Sequence, residues 1–265
     1  VKRALAAIVL IAALTGCASE STGDAAPGDD STSAGTALPT IEGSITVLAA
    51  ASLTDSFTEI ADDLMAANPQ LEITLSFGGS SDLAAQIVSG SPADVFAAAS
   101  PATMTTVTDE SLTASDPVNF VSNTLEIAVP VGNPGKVTGI EDFTNEDLSI
   151  ALCAVEVPCG SAADKLFTSL GLTAAPDTYE QDVKSVLSKV ELDEVDAGLV
   201  YKTDVLAAGD KVEGIEFDEA SEAVNEYPIA ALKDSATPDA ATAFVDYVLS
   251  EKGQAVLTAA GFGAP

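Results

Sequence analysis

The sequence predicts an α/β protein with mostly parallel sheets and flanking helices, and three observations lead there. β-type runs alternate with helical patterns along most of the chain. Several of those runs are continuously apolar rather than alternating, as in strands covered on both faces. The intervening segments repeat apolar residues at helical spacing, most clearly Leu53, Phe57, Ile60 and Leu64 at i, i+4, i+7 and i+11.

Taken in order, a strand is expected over Ile45–Ala50, followed by the helix with that stripe. A strand over Glu72–Phe77 leads to a short helix marked by Leu83 and Ile87, and a strand over Asp94–Ala98 follows. Leu125–Val131 reads as a strand that runs into Val131-Gly132-Asn133-Pro134-Gly135, taken as the sign of a topological change nearby. Strands over Ser149–Cys153, Ala197–Tyr201 and Tyr227–Leu232 complete the set. Helices are expected over Ala162–Leu170, Val183–Leu192, Asp239–Leu249 and Gly253–Ala259. From about Ile41 to Pro265 the chain is long enough for two lobes of roughly a hundred residues each. In open α/β sheets ligands lie beyond the carboxyl ends of strands, so those ends are where a site is sought.

The amino-terminal segment reads differently. Lys2 and Arg3 precede an apolar run, Ala4 to Leu14, too short to span a bilayer, which takes about 20 residues, but suited to a secretory signal. It ends in Leu14-Thr15-Gly16-Cys17, which resembles the lipobox cleaved before a cysteine that then carries lipid. Residues 1–16 are therefore expected to be a signal peptide and 17–40 a lipidated, disordered tether rich in Ser, Thr, Gly, Asp and Ala.

Formal charge is −31, with acids such as Glu59, Asp62, Asp63, Glu191 and Asp193 on what read as solvated helix faces. Such a chain argues against nucleic acid, which needs basic patches. It also disfavours an anion at long range, so any bound anion must be held by short, directed hydrogen bonds. With Cys17 assigned to the lipobox, Cys153 and Cys159 form an even pair in a secreted domain, which favours a disulfide closing the loop between them. The chain has no histidine, which weakens the metal-binding alternative for that pair.

Four β-type runs end in small or hydroxyl residues just where a helix begins: Ala51-Ser52-Leu53-Thr54-Asp55, Gly78-Gly79-Ser80-Ser81-Asp82, Val157-Pro158-Cys159-Gly160-Ser161 and Gln181-Asp182-Val183-Lys184. Each start offers unpaired N–H groups and the positive end of a helix dipole. Ordinary explanations stand beside each. Ser52 could be an N-cap with Asp55 as a capping-box-like partner, and Ser80 could cap the helix opened by Asp82. Tyr201 could be a core-edge aromatic whose hydroxyl reaches water. Asp94 reads as a structural acceptor.

Four segments together resemble the molybdate-binding proteins of ABC importers. They are Ala49-Ala50-Ala51-Ser52-Leu53-Thr54-Asp55-Ser56-Phe57, Phe77-Gly78-Gly79-Ser80-Ser81-Asp82-Leu83, Ser91-Pro92-Ala93-Asp94-Val95-Phe96 and Ala197-Gly198-Leu199-Val200-Tyr201-Lys202-Thr203-Asp204. The resemblance covers Ile45 to Phe262. It implies a two-lobed periplasmic-binding-protein fold of type II, with the ligand cleft between lobes. Residues 41–121 would start lobe 1, 122–224 would form lobe 2, and 225–265 would return mainly to lobe 1. It also implies an oxyanion site in which Ser52 and Ser80 give hydroxyl and N–H, Cys159 and Val183 give N–H, and Tyr201 gives its O–H. Cys159 departs from the alanine-like residue common there, at a position where only main chain is used.

The implied protein is not an enzyme and has no cofactor. It binds molybdate, and tungstate with it, works with an ABC permease as a monomer, and is held outside the membrane by lipid on Cys17. Competing readings are another tetrahedral oxyanion (sulfate, phosphate or thiosulfate), a sensory lipoprotein on the same fold, and a secreted hydrolase. The last lacks a histidine base and any Ser-x-x-Lys at Ser52 or Ser80.

Overall fold

The computed structural model describes residues 41–265, so the expected signal segment, the lipidation at Cys17 and the tether lie outside the described residues. Two five-stranded sheets organise the rest. Among the described residues no helix is long and apolar enough to cross a membrane.

The first sheet holds β1 (Gly43–Ala50), β2 (Leu71–Gly78), β3 (Val95–Ala97), β4 (Val118–Asn123) and, from the far end of the chain, β10 (Asn225–Ala231). Their spatial order is β2-β1-β3-β10-β4. β1 runs parallel to both β2 and β3, whereas β10 pairs antiparallel with β3 and β4. The second sheet has the same plan, with β5 (Leu125–Pro130), β6 (Ile150–Cys153), β7 (Thr178–Glu180), β8 (Ala197–Tyr201) and β9 (Val212–Ile215) in the order β7-β6-β8-β5-β9. Here β6 is parallel to β7 and β8, and β5 is antiparallel to β8 and β9. Mostly parallel sheets were expected, and in each sheet four strands do run the same way, with one, β10 or β5, opposed to them. Strands arriving from the other lobe enter against the local direction, which a reading of apolar runs does not register.

Alternation along β1 places Val47 and Ala49 in one core and Leu48 in another on the opposite face of the sheet. The first core receives α1 (Thr54–Ala67), α7 (Pro238–Leu249) and α8 (Glu251–Ala259). The second receives α2 (Ser80–Val88) and α3 (Pro101–Asp109). The other sheet is covered by α4 (Pro158–Leu170), α5 (Val183–Glu191) and α6 (Lys202–Ala208) around a third core. Apolar cover on both faces is what makes the central strands read as unbroken hydrophobic runs.

The chain leaves the first sheet at Asn123 and enters the second at Leu125, and it returns between Ile215 and Asn225. The expected topological change at residues 131–135 is therefore upstream, at Thr124. The glycine-and-proline stretch is a turn leaving β5, with Gly132 at φ 81 and Asn133 at φ 44. Three strands escape the sequence reading, β4, β7 and β9, and all are sheet edges. An edge strand is half-solvated and carries a weaker apolar signal. Two helices escape it as well. α3 is threonine-rich and is fixed by its Ser100 cap, whose hydroxyl accepts from the Thr103 N–H, with Pro101 at the first position. α6 is only seven residues long.

Phe57 is fully buried where α1 meets the sheet, 5.6 Å from Phe244 on α7 and 5.9 Å from Phe120 on β4 between ring centroids. Phe57→Ala should cost about 3–5 kcal/mol of unfolding free energy. Urea denaturation of parent and variant checks this, and a loss under 1 kcal/mol would show that the junction is not a rigid core.

Candidate functional site

Parallel register builds the site. Ala50 on β1 pairs with Gly78 on β2, so Ser52 and Ser80, each two residues further on, emerge side by side at the carboxyl edge. In the other sheet Cys153 on β6 pairs with Glu180 on β7, and Ala151 with Gly198 on β8. The starts of α4 and α5 and the end of β8 at Tyr201 thus share one edge. The two edges face each other across a cavity of about 20 Å3 lined by Ser52, Gly79, Ser80, Ala99, Val157, Cys159, Asp182, Val183 and Tyr201, among others. All five residues picked out in the sequence lie around this one cavity.

The backbone supplies donors there. Ser80 is the first residue of α2, Val183 the first of α5, and Cys159 the second of α4, while Ser52 sits in the short 3-10 turn Ala51–Leu53 that leads into α1. First-turn N–H groups have no intrahelical acceptor. Pro158 opens α4 without an N–H, which makes Cys159 the first donor of that helix. Asp182 caps α5 further in, accepting from the Ser185 N–H at 2.9 Å and the Ser185 hydroxyl at 2.8 Å, so its carboxylate is turned onto Ser185.

Each of the three hydroxyls has a polar protein neighbour. Ser80 Oγ accepts from the Ala99 N–H at 3.0 Å. Tyr201 Oη accepts from Asn225 Nδ2 at 3.0 Å, and the same amide group donates to the Ala99 carbonyl at 2.7 Å. Ser52 Oγ lies 2.9 Å from Tyr227 Oη, whose oxygen Asn123 Nδ2 approaches at 3.5 Å. Either oxygen of the Ser52–Tyr227 pair can be the donor. The Ser80 hydroxyl, which accepts from Ala99, keeps its proton for the cavity, while the Tyr201 phenol borders both the cavity and the Tyr227 ring. Capping does not explain the serines: neither α1 nor α2 has a side-chain cap bond at its start. Tyr201 is buried and not at a wet edge. Asp94 accepts from the Thr46 N–H at 2.7 Å and from the Ser235 hydroxyl, a strand-to-strand tie in the first sheet.

Burial, then the nearby Tyr227 and Asp204, pushes the Tyr201 phenol well above its ordinary pKa. Burial likewise raises Tyr227 against the pull of its Ser52 and Asn123 contacts. Both phenols therefore remain O–H donors across any physiological pH. Tyr227, Asn225 and Asn123 were missed in the sequence. They lie in or at the ends of strands β4 and β10, and a lone polar residue there does not say what it touches.

The lobes meet over this cavity. Ser81 Oγ donates to the Glu156 carbonyl of the opposite lobe at 2.7 Å. A Cβ at Gly79 would overlap the carbonyl oxygen of Gln181, so glycine is what allows the β2–α2 turn to approach α5. Cys153 and Cys159 are joined by a disulfide with Cα atoms 5.7 Å apart, and it pins the start of α4 to the end of β6. Among the described residues no cluster of three or more His, Cys, Asp or Glu could hold a metal ion.

Two lobes linked by two crossings, with opposed strand ends closing over a small cavity, are the architecture of a solute-binding protein. The chain belongs to the bacterial extracellular solute-binding protein family, whose model matches residues 45–263. The molybdate-binding protein ModA of Mycobacterium tuberculosis is 41% identical over 222 residues, covering 84% of this chain and 85% of that one. ModA of Escherichia coli is 32% identical over 234 residues, covering 83% and 89%. Among solved structures, the periplasmic molybdate-binding protein of Azotobacter vinelandii superposes with a TM-score of 0.72 at 20% identity, covering 83% and 99%, and shares the fold.

Asp204, on α6, is completely buried, with Oδ2 accepting from the Tyr201 N–H at 3.1 Å. Burial raises its carboxyl to about 6, while Lys184 and the Tyr201 N–H pull the other way. A folded pKa above the unfolded one, about 3.9, means that the folded state holds a proton the unfolded state releases. This contribution is present below about pH 4 and is lost as pH rises through about 6, a change of about 3 kcal/mol. In Asp204→Asn that contribution should vanish. Urea unfolding of ligand-free parent and variant from pH 4 to 7 should show their stability difference falling across that window; a flat difference would mean that Asp204 does not titrate there.

Proposed function

We propose that the protein captures molybdate, and tungstate with it, for delivery to an ABC-type permease. The observation that carries this reading is the donor set: the hydroxyls of Ser52, Ser80 and Tyr201, the last two already accepting from protein donors, with first-turn N–H groups of helices, around one small cavity. A fully deprotonated tetrahedral oxyanion offers acceptors only, and such a cage answers it with donors only. Hydrogen bonds to a charged group contribute about 1.5–3 kcal/mol each, so a handful can support nanomolar affinity, about −12 kcal/mol, after the costs of closure. Phosphate keeps a proton near neutral pH and needs an acceptor. The nearest candidate, Asp182, is committed to Ser185. The similarity to proteins named for molybdate supports the choice of anion.

In this reading Ser52, Ser80, Cys159, Val183 and Tyr201 contact the anion, and no cofactor takes part. The protein works as a monomer outside the cytoplasmic membrane, tethered through lipid on Cys17, as the lipobox-like Leu14-Thr15-Gly16-Cys17 supports.

Calorimetric titration should give one molybdate per protein, tungstate binding comparably, and sulfate binding far more weakly, because a rigid cage fits one anion size. Sulfate binding as tightly as molybdate would sink the assignment. Ser52→Ala and Ser80→Ala should each weaken molybdate about 10- to 150-fold, the loss of about 1.5–3 kcal/mol for one donor to a buried dianion. If both variants melt earlier but bind like the parent, the serines are structural and the proposed site is wrong.

Reduction of Cys153–Cys159 should loosen the start of α4 and weaken molybdate binding more than it lowers the ligand-free melting temperature. Titration and melting with and without reductant test this, and reduced protein with parent affinity would show that the loop holds its shape unaided.

A further inference from the structure

One cation lies between the helix starts that frame the cavity. Lys184 follows Val183 in the first turn of α5, where the helix dipole disfavours a positive charge. Its Nζ is 3.4 Å from Oδ1 of the buried Asp204 and 3.1 Å from Oδ2 of Asp55. Asp204 and Lys184 belong to the same lobe; Asp55 stands in the first turn of α1, three residues past Ser52, in the other. Among the ion pairs of the described residues, Lys184 with Asp55 is the one that crosses between lobes.

The two contacts differ in kind. Asp204 Oδ1 is buried without a hydrogen-bond partner, so Lys184 is its counter-charge and is held within its own lobe whatever the other does. Asp55 has 66% of its side chain exposed and Lys184 27%, so their contact is open to water and depends on where α1 stands. Because Asp55 and Asp204 stand in different lobes, a movement of one lobe against the other alters the contact with Asp55 and not the one with Asp204. Burial by itself would lower the Lys184 pKa, but attraction to Asp204 and Asp55 prevails and keeps the ammonium charged.

We propose that Lys184 is a positioning residue of the anion site, a strap anchored on Asp204 that engages Asp55 only when the lobes are closed and thereby slows release of the bound oxyanion. It holds the helix start carrying Ser52 against those carrying Val183 and Tyr201. The proposal rests on the oxyanion-capture reading above, and molybdate is the probe.

The test measures molybdate affinity by calorimetry and release by exchange of labelled for unlabelled molybdate, in Asp55→Asn, Lys184→Met, Lys184→Arg and the double variant Asp55→Asn/Lys184→Met. Asp55→Asn should weaken binding about two- to five-fold, mainly through faster release, with the ligand-free melting temperature unchanged. Lys184→Met should weaken it at least as much, the double variant no further, and Lys184→Arg should restore most of the parent behaviour. The Asp55→Asn effect should fade near 1 M salt, where screening acts over about 3 Å. Should Lys184→Met fail to fold, Asp55→Asn and its salt dependence still decide. Parent-like affinity and release in Asp55→Asn would remove the strap alone. So would an Asp55→Asn effect that persists undiminished when Lys184 is already Met. A parent that binds no molybdate would overturn the strap and the oxyanion reading together.

Discussion

Parallel pairing in register, carried to the carboxyl ends of the strands, is the constraint on which the rest of the molecule depends. Because Ala50 lies against Gly78, and Cys153 against Glu180, loops that are distant in sequence leave each sheet side by side. Each of those loops leads within a few residues into a helix, so unpaired N–H groups and positive dipole ends gather along one edge of each sheet. Facing the two edges towards each other produces a donor-lined cavity with no cationic side chain among its lining residues.

That construction answers a problem set by the chain's own charge. A protein at −31 repels anions at a distance, and one strong counter-ion in the cleft would attract any of them with little regard to shape. Fixed hydrogen-bond donors act only at contact and only in particular directions. The second layer sharpens this. Asn225 and the Ala99 N–H occupy acceptor positions of Tyr201 and Ser80, and Tyr227 lies against Ser52. The Ser80 and Tyr201 oxygens are thereby engaged as acceptors before any ligand arrives, which limits the reorganisation that binding would otherwise require.

Asn225 also shows how the hinge is tied to the site. It is the first residue of β10, where the chain returns from the second lobe, and its amide reaches Ala99 in one lobe and Tyr201 in the other. Asn123, at the outward crossing, donates to Thr203 at 2.8 Å in the second lobe. Each crossing strand thus carries an amide that reads the relative position of the lobes, and hinge geometry is coupled to the orientation of the site hydroxyls.

Central strands and amphipathic helices were legible in the sequence because burial on both faces and a helical stripe leave periodic marks, as in Val47–Ala50 and in Leu53, Phe57, Ile60 and Leu64. The four helix starts were legible because chain direction reversal there needs small and hydroxyl residues. Family resemblance then singled out Val183, whose side chain carries no signal. What the sequence could not show is pairing across distance. The mixed sheets, the edge strands β4, β7 and β9, the roles of Asn123, Asn225 and Tyr227, and the reach of Lys184 from Asp204 to Asp55 each join residues far apart in the chain. Local composition fixes which groups can donate, accept or carry charge. Which of them meet is decided by the packing of two lobes, because a hydrogen bond or an ion pair exists only where the fold brings its two ends within reach.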